Sequence, residues 1–107
     1  MDSDPVRDPF EQIGSFEWDE HKRAANLERH HIDFSDVVKV FDAPFVVRRS
    51  DRNDELRYQV FGYVEGREVA VACAIRGTCC RIISARRARR DERRKYHDRI
   101  TGKPGEG

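Results

Sequence analysis

The 107-residue chain has little of what marks several specialised protein classes. Its three cysteines, Cys73, Cys79 and Cys80, are odd in number and contain no Cys-x-x-Cys pair. That pattern gives neither a disulfide framework nor a redox motif, so they read as small core-filling residues of a reducing cytoplasm. His21, His30, His31 and His97 fall at no Cys/His spacing of a tetrahedral zinc site. A Gly-rich phosphate loop and a Gly-x-Ser-x-Gly elbow are both missing. No stretch approaches the roughly 20 apolar residues of a membrane span. The opening Met-Asp-Ser-Asp-Pro has neither the basic start nor the apolar run of a secretory signal. No cofactor, no metal, no membrane partner and a cytoplasmic location are the resulting expectations.

What the chain has is charge: 38% of its residues are charged, yet the formal net charge is only +1. The balance hides a dipole. Residues 1–20 hold seven acids against one Arg, while residues 81–99 hold nine Arg or Lys against three acids. A clustered cationic segment points to a polyanion, because phosphate contacts are made by grouped Arg and Lys. The plainer reading, a solvated helix face, stands beside it.

The length fits one domain. Residues 1–14, with two prolines and aperiodic acids, are expected to be a flexible N-terminal segment, 15–100 the domain, and 101–107 a flexible tail. Phe16-Glu17-Trp18 predicts a short strand, and Asp19 caps a helix reaching about His30. Asp33 or Ser35 caps a second helix, with Phe34, Val37, Val38 and Phe41 at helical spacing up to Pro44. Period two then takes over. Phe45–Arg49, Leu56–Val64, Val69–Ile75 and Cys80–Ala85 predict strands joined by Gly-containing turns, an antiparallel meander. A last helix is expected from about Arg86 to Arg99, with Ser84 as its cap. The whole is α+β: two N-terminal helices, the meander and a C-terminal helix, with the helices on one sheet face.

Two constellations could carry chemistry. Lys22, Asn26 and His30 at i, i+4 and i+8 line one face of the first helix, with Arg29 beside them. There Lys22 would hold a phosphate, Asn26 a base or sugar, and His30 would exchange a proton, unless the stripe is merely solvent-facing. On the last helix Ala85, Ala88, Glu92 and Tyr96 share a face that Ile100 extends. A carboxylate at Glu92 there needs a partner, with Arg57 or Arg81 from the sheet as candidates. It would be a structural ion pair, a base, or the orienter of a phosphate-binding Arg.

Taken together, these residues resemble a known family. Phe16-Glu-Trp-Asp19, Lys22, Asn26, Arg29-His30, Ile32, Phe34, Val40-Phe41, Glu55-x-Arg57 and Gly62 lead to Arg81-Ile-Ile-Ser-Ala-Arg86, Ala88, Glu92 and Tyr96. In order and spacing they resemble the BrnT toxins of bacterial type II toxin–antitoxin modules, across residues 16–96. The resemblance implies a RelE-like fold and a ribonuclease that arrests translation. It also implies neutralisation by a BrnA-like antitoxin in a hetero-oligomer that meets operator DNA only through the antitoxin. The chain departs from the family where His31 replaces a glycine that would serve a left-handed helix end, so a different turn is expected there. It departs again at Leu56, where the family tends to have a second acid.

The expected activity is metal-independent cleavage of RNA by attack of the 2′-hydroxyl on its neighbouring phosphate. Arg57 and Arg86 would hold the phosphate with Lys22 assisting, His30 and Glu92 would transfer protons, and Tyr96 would position or protonate substrate. Asn26, Arg29, Arg81, Arg89, Arg90 and Arg93 complete the expected RNA contacts. The rival is a non-catalytic nucleic-acid-binding module using the same basic helix. A further possibility makes that helix the docking face for an acidic antitoxin.

Overall fold

Four consecutive extended runs build most of the sheet, and both faces of the middle two are largely buried. The computed structural model describes residues 9–52 and 54–101, with the backbone alone for residue 9 and residues 98–101. Its strands are β1 (Ser15–Glu17), β2 (Val46–Arg49), β3 (Tyr58–Val64), β4 (Arg67–Arg76) and β5 (Cys79–Arg87), in spatial order β1-β5-β4-β3-β2. β2 to β5 form the antiparallel meander, turning through Glu65-Gly66 and Gly77 at positive φ. β1 departs from it. It runs parallel to β5, with Phe16 opposite Cys80, so the sheet is mixed and not purely antiparallel.

Helix α1 (Glu20–His30) starts where the Asp19 carboxylate accepts from the backbone N–H groups of His21 at 2.8 Å and Lys22 at 3.2 Å. It ends at His31, whose φ of 61° and ψ of 34° are left-handed. The left-handed helix end expected to need a glycine therefore forms with His31, at the cost that a Cβ adds in this region. Asp33 caps α2 (Phe34–Val37) by accepting from Ser35 N–H at 3.0 Å, and takes Arg23 Nε at 3.0 Å, tying the two helices together. A 3₁₀ helix, Val38–Asp42, carries the chain to Pro44. Gly62 is required beneath it: a Cβ there would stand 2.5 Å from the Val40 Cγ2.

The main core lies on one sheet face. Val60, Val64, Val69, Val71, Cys73, Cys80, Ile82 and Ala85 meet Ile32, Phe34, Val37 and Val40. Phe10 joins them at 8% exposure, its ring among Phe41, Phe45 and Tyr58. That corrects the expectation of a loose segment to residue 14. Pro9–Gln12 form a 3₁₀ turn because an aromatic side chain there has a core to enter, while residues 1–8 lie outside the described residues. The tail from 102 onward also lies outside them, and Thr101 closes the last helix.

The last helix, α3 (Arg90–Thr101), lies on the opposite face, which corrects the one-face arrangement. Tyr96 stacks on Phe61 with ring centroids 4.4 Å apart, and Ala70, Val46 and Tyr63 pack around the pair. Val60 and Phe61 are consecutive strand residues, so their side chains enter opposite layers. The start of α3 is also corrected, since β5 continues through Ser84 and Ala85 to Arg87. Ser84 is a strand residue paired with Ala72, not a helix cap, and Ala85 and Ala88 precede the helix. The cause is a bulge: Cys73 faces Ile82 and Ala72 faces Ser84, leaving Ile83 extra. Buried positions therefore fall at Ile82 and Ala85, three apart, which imitates a helix. The Ile100 side chain is outside the described residues.

Candidate active site

The register lays a row of side chains across the uncovered half of the α3 face. Ser84 pairs with Ala72, Ala72 with Gln59, and Gln59 with Arg48, so one row crosses β5, β4, β3 and β2. Arg48 donates to Gln59 Oε1 at 2.7 Å. Along β4, Ala70, Ala72 and Ala74 share this face; Ala70 is buried under α3 and Ala74 is buried as well, so half-buried Ala72 is the low floor between taller neighbours. Above it lies a cleft of about 220 Å³ lined by Ser50, Arg52, Arg57, Tyr58, Gln59, Ala72 and Ser84.

Arginine–glutamate pairs rim this trough. At one end Glu55 takes Arg57 Nε at 2.8 Å and Arg76 at 3.1 Å, and those two cations, Arg57 first, hold its carboxyl below the usual range. The Nη groups of Arg57 make no hydrogen bond among the described residues, so they remain available to a ligand. Arg81 donates to Glu17 at 3.1 Å. At the other end Arg86 grips Glu92 through two bonds of 2.9 Å, a bidentate fork. Glu92 also accepts the Arg89 backbone N–H at 2.8 Å, the return half of a capping box at the third residue of α3. The Arg86 fork foremost, and after it the Arg89 N–H, hold the Glu92 carboxyl down at about 2, against its partial burial. Its partner is thus Arg86, not Arg57 or Arg81, because β5 runs on to Arg87 before α3 begins.

A carboxylate so acidic is a poor proton acceptor. Glu92 sets the direction of Arg86, and the geometry favours that over the expected proton transfer. Tyr96 is 4% exposed beneath α3 and acts as the helix's anchor on Phe61, away from any open surface.

The α1 residues meet on the other side of β5. Lys22, Ala25, Asn26, Arg29 and His30 line a groove of about 180 Å³ with Ile83 and Ser84. Within it Asn26 is 6% exposed and structurally engaged. Its Nδ2 donates to Ile32 O at 3.0 Å and its Oδ1 accepts Ala85 N–H at 3.0 Å. Asn26 thus ties the groove to β5 and to the turn after α1 while lining it. Lys22 and Arg29 are exposed and His30 is half-buried.

Arg90, Arg93, Arg94 and His97 line a third, shallow groove on α3. Arg93 donates to Ala88 O at 2.6 Å, while Arg89 and Arg90 are exposed. The expected residues therefore fall into three places: the trough, the α1 groove and the outer side of α3. Arg52, Gln59, Arg76, Ser84 and the alanine floor were missed. Their signal was strand parity, since Ala70, Ala72 and Ala74 alternate with larger apolar residues in one run.

Among the described residues no group of three His, Cys, Asp or Glu could hold a metal ion, and no helix is long and apolar enough to cross a membrane. The family described as the ribonuclease toxin BrnT of type II toxin–antitoxin systems matches residues 18–92. The chain belongs to the BrnT family. It is similar to the crystal structure of the Brucella abortus ribonuclease toxin BrnT, solved at 1.1 Å, with a TM-score of 0.56 and 25% sequence identity. That likeness covers 71% of this chain and 97% of the Brucella chain. No curated protein matches. The BrnT match contains both the trough and the α1 groove, and ends on Glu92, the carboxylate that fixes Arg86.

Proposed function

We propose that this BrnT-family chain is the toxin of a type II module and a metal-independent endoribonuclease of RelE-like type that inhibits translation. The observation carrying the reading is the trough itself. Two arginines, Arg57 just before β3 and Arg86 on β5, are each held by a glutamate on the sheet face that carries the cleft over Ala72. Fixed guanidinium groups neutralise charge as it grows on a phosphorane without reorganising during the reaction. In this mechanism the RNA 2′-oxygen bonds to phosphorus, the bond to the 5′-oxygen breaks, and a 2′,3′-cyclic phosphate is left. Arg57 and Arg86 hold the non-bridging oxygens, Lys22 adds charge from the α1 groove, and His30 moves protons. Glu92 acts through Arg86, and Tyr96 through the seating of α3. Arg29, Arg81, Arg89, Arg90 and Arg93 supply outer phosphate contacts. A BrnA-like antitoxin is the neutralising partner in a cytoplasmic hetero-oligomer, and operator DNA is met only through it.

The deciding measurement is cleavage of a defined RNA by purified protein in EDTA, wild type beside Arg57→Ala. Loss of one fixed donor to the transition state is expected to slow cleavage about 100-fold. Undiminished cleavage by the variant would remove Arg57 from the site. Binding without cleavage by the wild type, even with ribosomes added, would leave the non-catalytic nucleic-acid module standing. The α3 groove favours one addition, because Arg90, Arg93, Arg94 and His97 lie apart from the trough and suit an acidic antitoxin segment.

A further inference from the structure

The trough and the α1 groove share a wall. Ser84 lines both, exposed, at the point where the strand bulges. β1 pairs with β5 only at Cys79, Cys80 and Arg81, so among the described residues no strand covers the outer edge of β5 beyond Arg81. Of that free edge, Ala85 N–H is already taken by Asn26. A row of side chains that begins at Arg48 therefore leads across Gln59 and Ala72 to Ser84 and over the edge towards Lys22 and Arg29. Four strands at their usual spacing make the flat part roughly 14 Å wide.

Neither cleft alone reaches the roughly 300 Å³ at which pockets begin to enclose a small ligand, but the two joined do. Their linings agree in charge: Arg52 and Arg57 on the sheet side, Lys22 and Arg29 on the helix side, and no carboxylate among the lining residues. Cations repeated along a path that bends round an edge fit successive phosphates of a flexible chain. A duplex, stiff over tens of nanometres, does not follow such a bend.

Resting on the ribonuclease reading for the identity of the polymer, we propose that a single unpaired RNA strand lies across the sheet face and turns over the free edge of β5 at Ser84. Phosphates on the two sides of the turn are bound at once, one set in the trough and the next in the α1 groove. The Lys22 and Arg29 side of the groove then holds a phosphate next to the one that reacts, and its binding energy serves to position the bond that breaks. Length and lack of pairing, more than base identity, select the substrate.

Non-cleavable 2′-O-methyl strands of two, four and eight nucleotides and an eight-base-pair duplex, each fluorescently labelled, provide the test by anisotropy. Full-length wild type is compared with the Lys22→Ala/Arg29→Ala double variant and with Ser84→Trp, all checked for folding by thermal melting. The wild type should gain about tenfold in affinity from two to eight nucleotides, as two added phosphate contacts would give. The double variant and Ser84→Trp should each lose that gain, and the duplex should bind about tenfold more weakly than the strand. Equal affinity for short and long strands, or for strand and duplex, overturns the path. Should Ser84→Trp fail to fold, the double variant, altered only at exposed side chains, still decides. Cleavage of matching ribo-strands separates the two claims. Length-dependent binding with no cutting sinks the ribonuclease reading alone, and length-independent cutting sinks the path alone.

Discussion

The two faces of the sheet come from the same strands and serve opposite ends. On one, Val60, Val71, Cys73 and Ile82 lie under α1, α2 and the 3₁₀ helix, each at 1% exposure or less. On the other, their immediate neighbours are Gln59, Ala72, Ala74 and Arg81, and α3 covers only the part around Phe61. The first face is held by apolar area removed from water; the second by directed charge pairs over small residues. A change on the first face should be read in stability, and one on the second in activity.

Phe34, fully buried in the first face, marks one extreme. Phe34→Ala should cost about 4 kcal/mol in chemical denaturation through cavity formation, and lower activity only through unfolding. A loss below about 1 kcal/mol would mean that the covered face is not the source of stability. Arg57→Ala, described above, is its mirror image: a large loss of cleavage with little change in melting. Glu92 stands between the two, since it both caps α3 and fixes Arg86.

Glu92→Gln should cost on the order of 2 kcal/mol, and its pH dependence identifies the cause. The folded-state value of about 2 lies below an unfolded value of about 4.3. The contribution is therefore complete above about pH 4.3 and is lost as pH falls through 2. Wild type and variant should accordingly converge in urea midpoint across that interval, and a gap unchanged with pH would show that the charge is not responsible. The smallest effect is at the α1 terminus. His31→Gly should raise stability by about 1 kcal/mol, because glycine accepts φ of 61° without a Cβ penalty. Thermal melting detects it, and a lower melting temperature would mean that the His31 side chain contributes more than its backbone costs.

Much of the covered face was legible in the chain. Asp19 and Asp33 announced two helix starts, and alternation from Tyr58 to Ile75 announced two strands, because caps and period two are local signals. The arrangement around Ser84 was not. A one-residue bulge turned the strand spacing of Ile82 and Ala85 into helical spacing, and it can be seen only against β4. The parallel seat of β1 and the burial of Phe10 depend on partners far along the chain. The site was legible in its residues more than in its pairings. Arg57, Lys22, Asn26 and His30 line the two clefts, Asn26 being hydrogen-bonded into the framework as well, whereas Tyr96 lies under α3.

Asn26 has a consequence in time as well as in space. Its amide joins α1 to Ile32 and, 59 residues later, to Ala85 on the last strand made. Until β5 exists, α1 has no edge to close against and the trough has neither Ser84 nor Arg86. A ribosome paused before that strand would have made Lys22, Arg29, Arg52 and Arg57 but not the Ser84 that joins their two clefts. Synthesis itself thus orders events, with α1 and α2 made first and the joined path only once β5 has followed them.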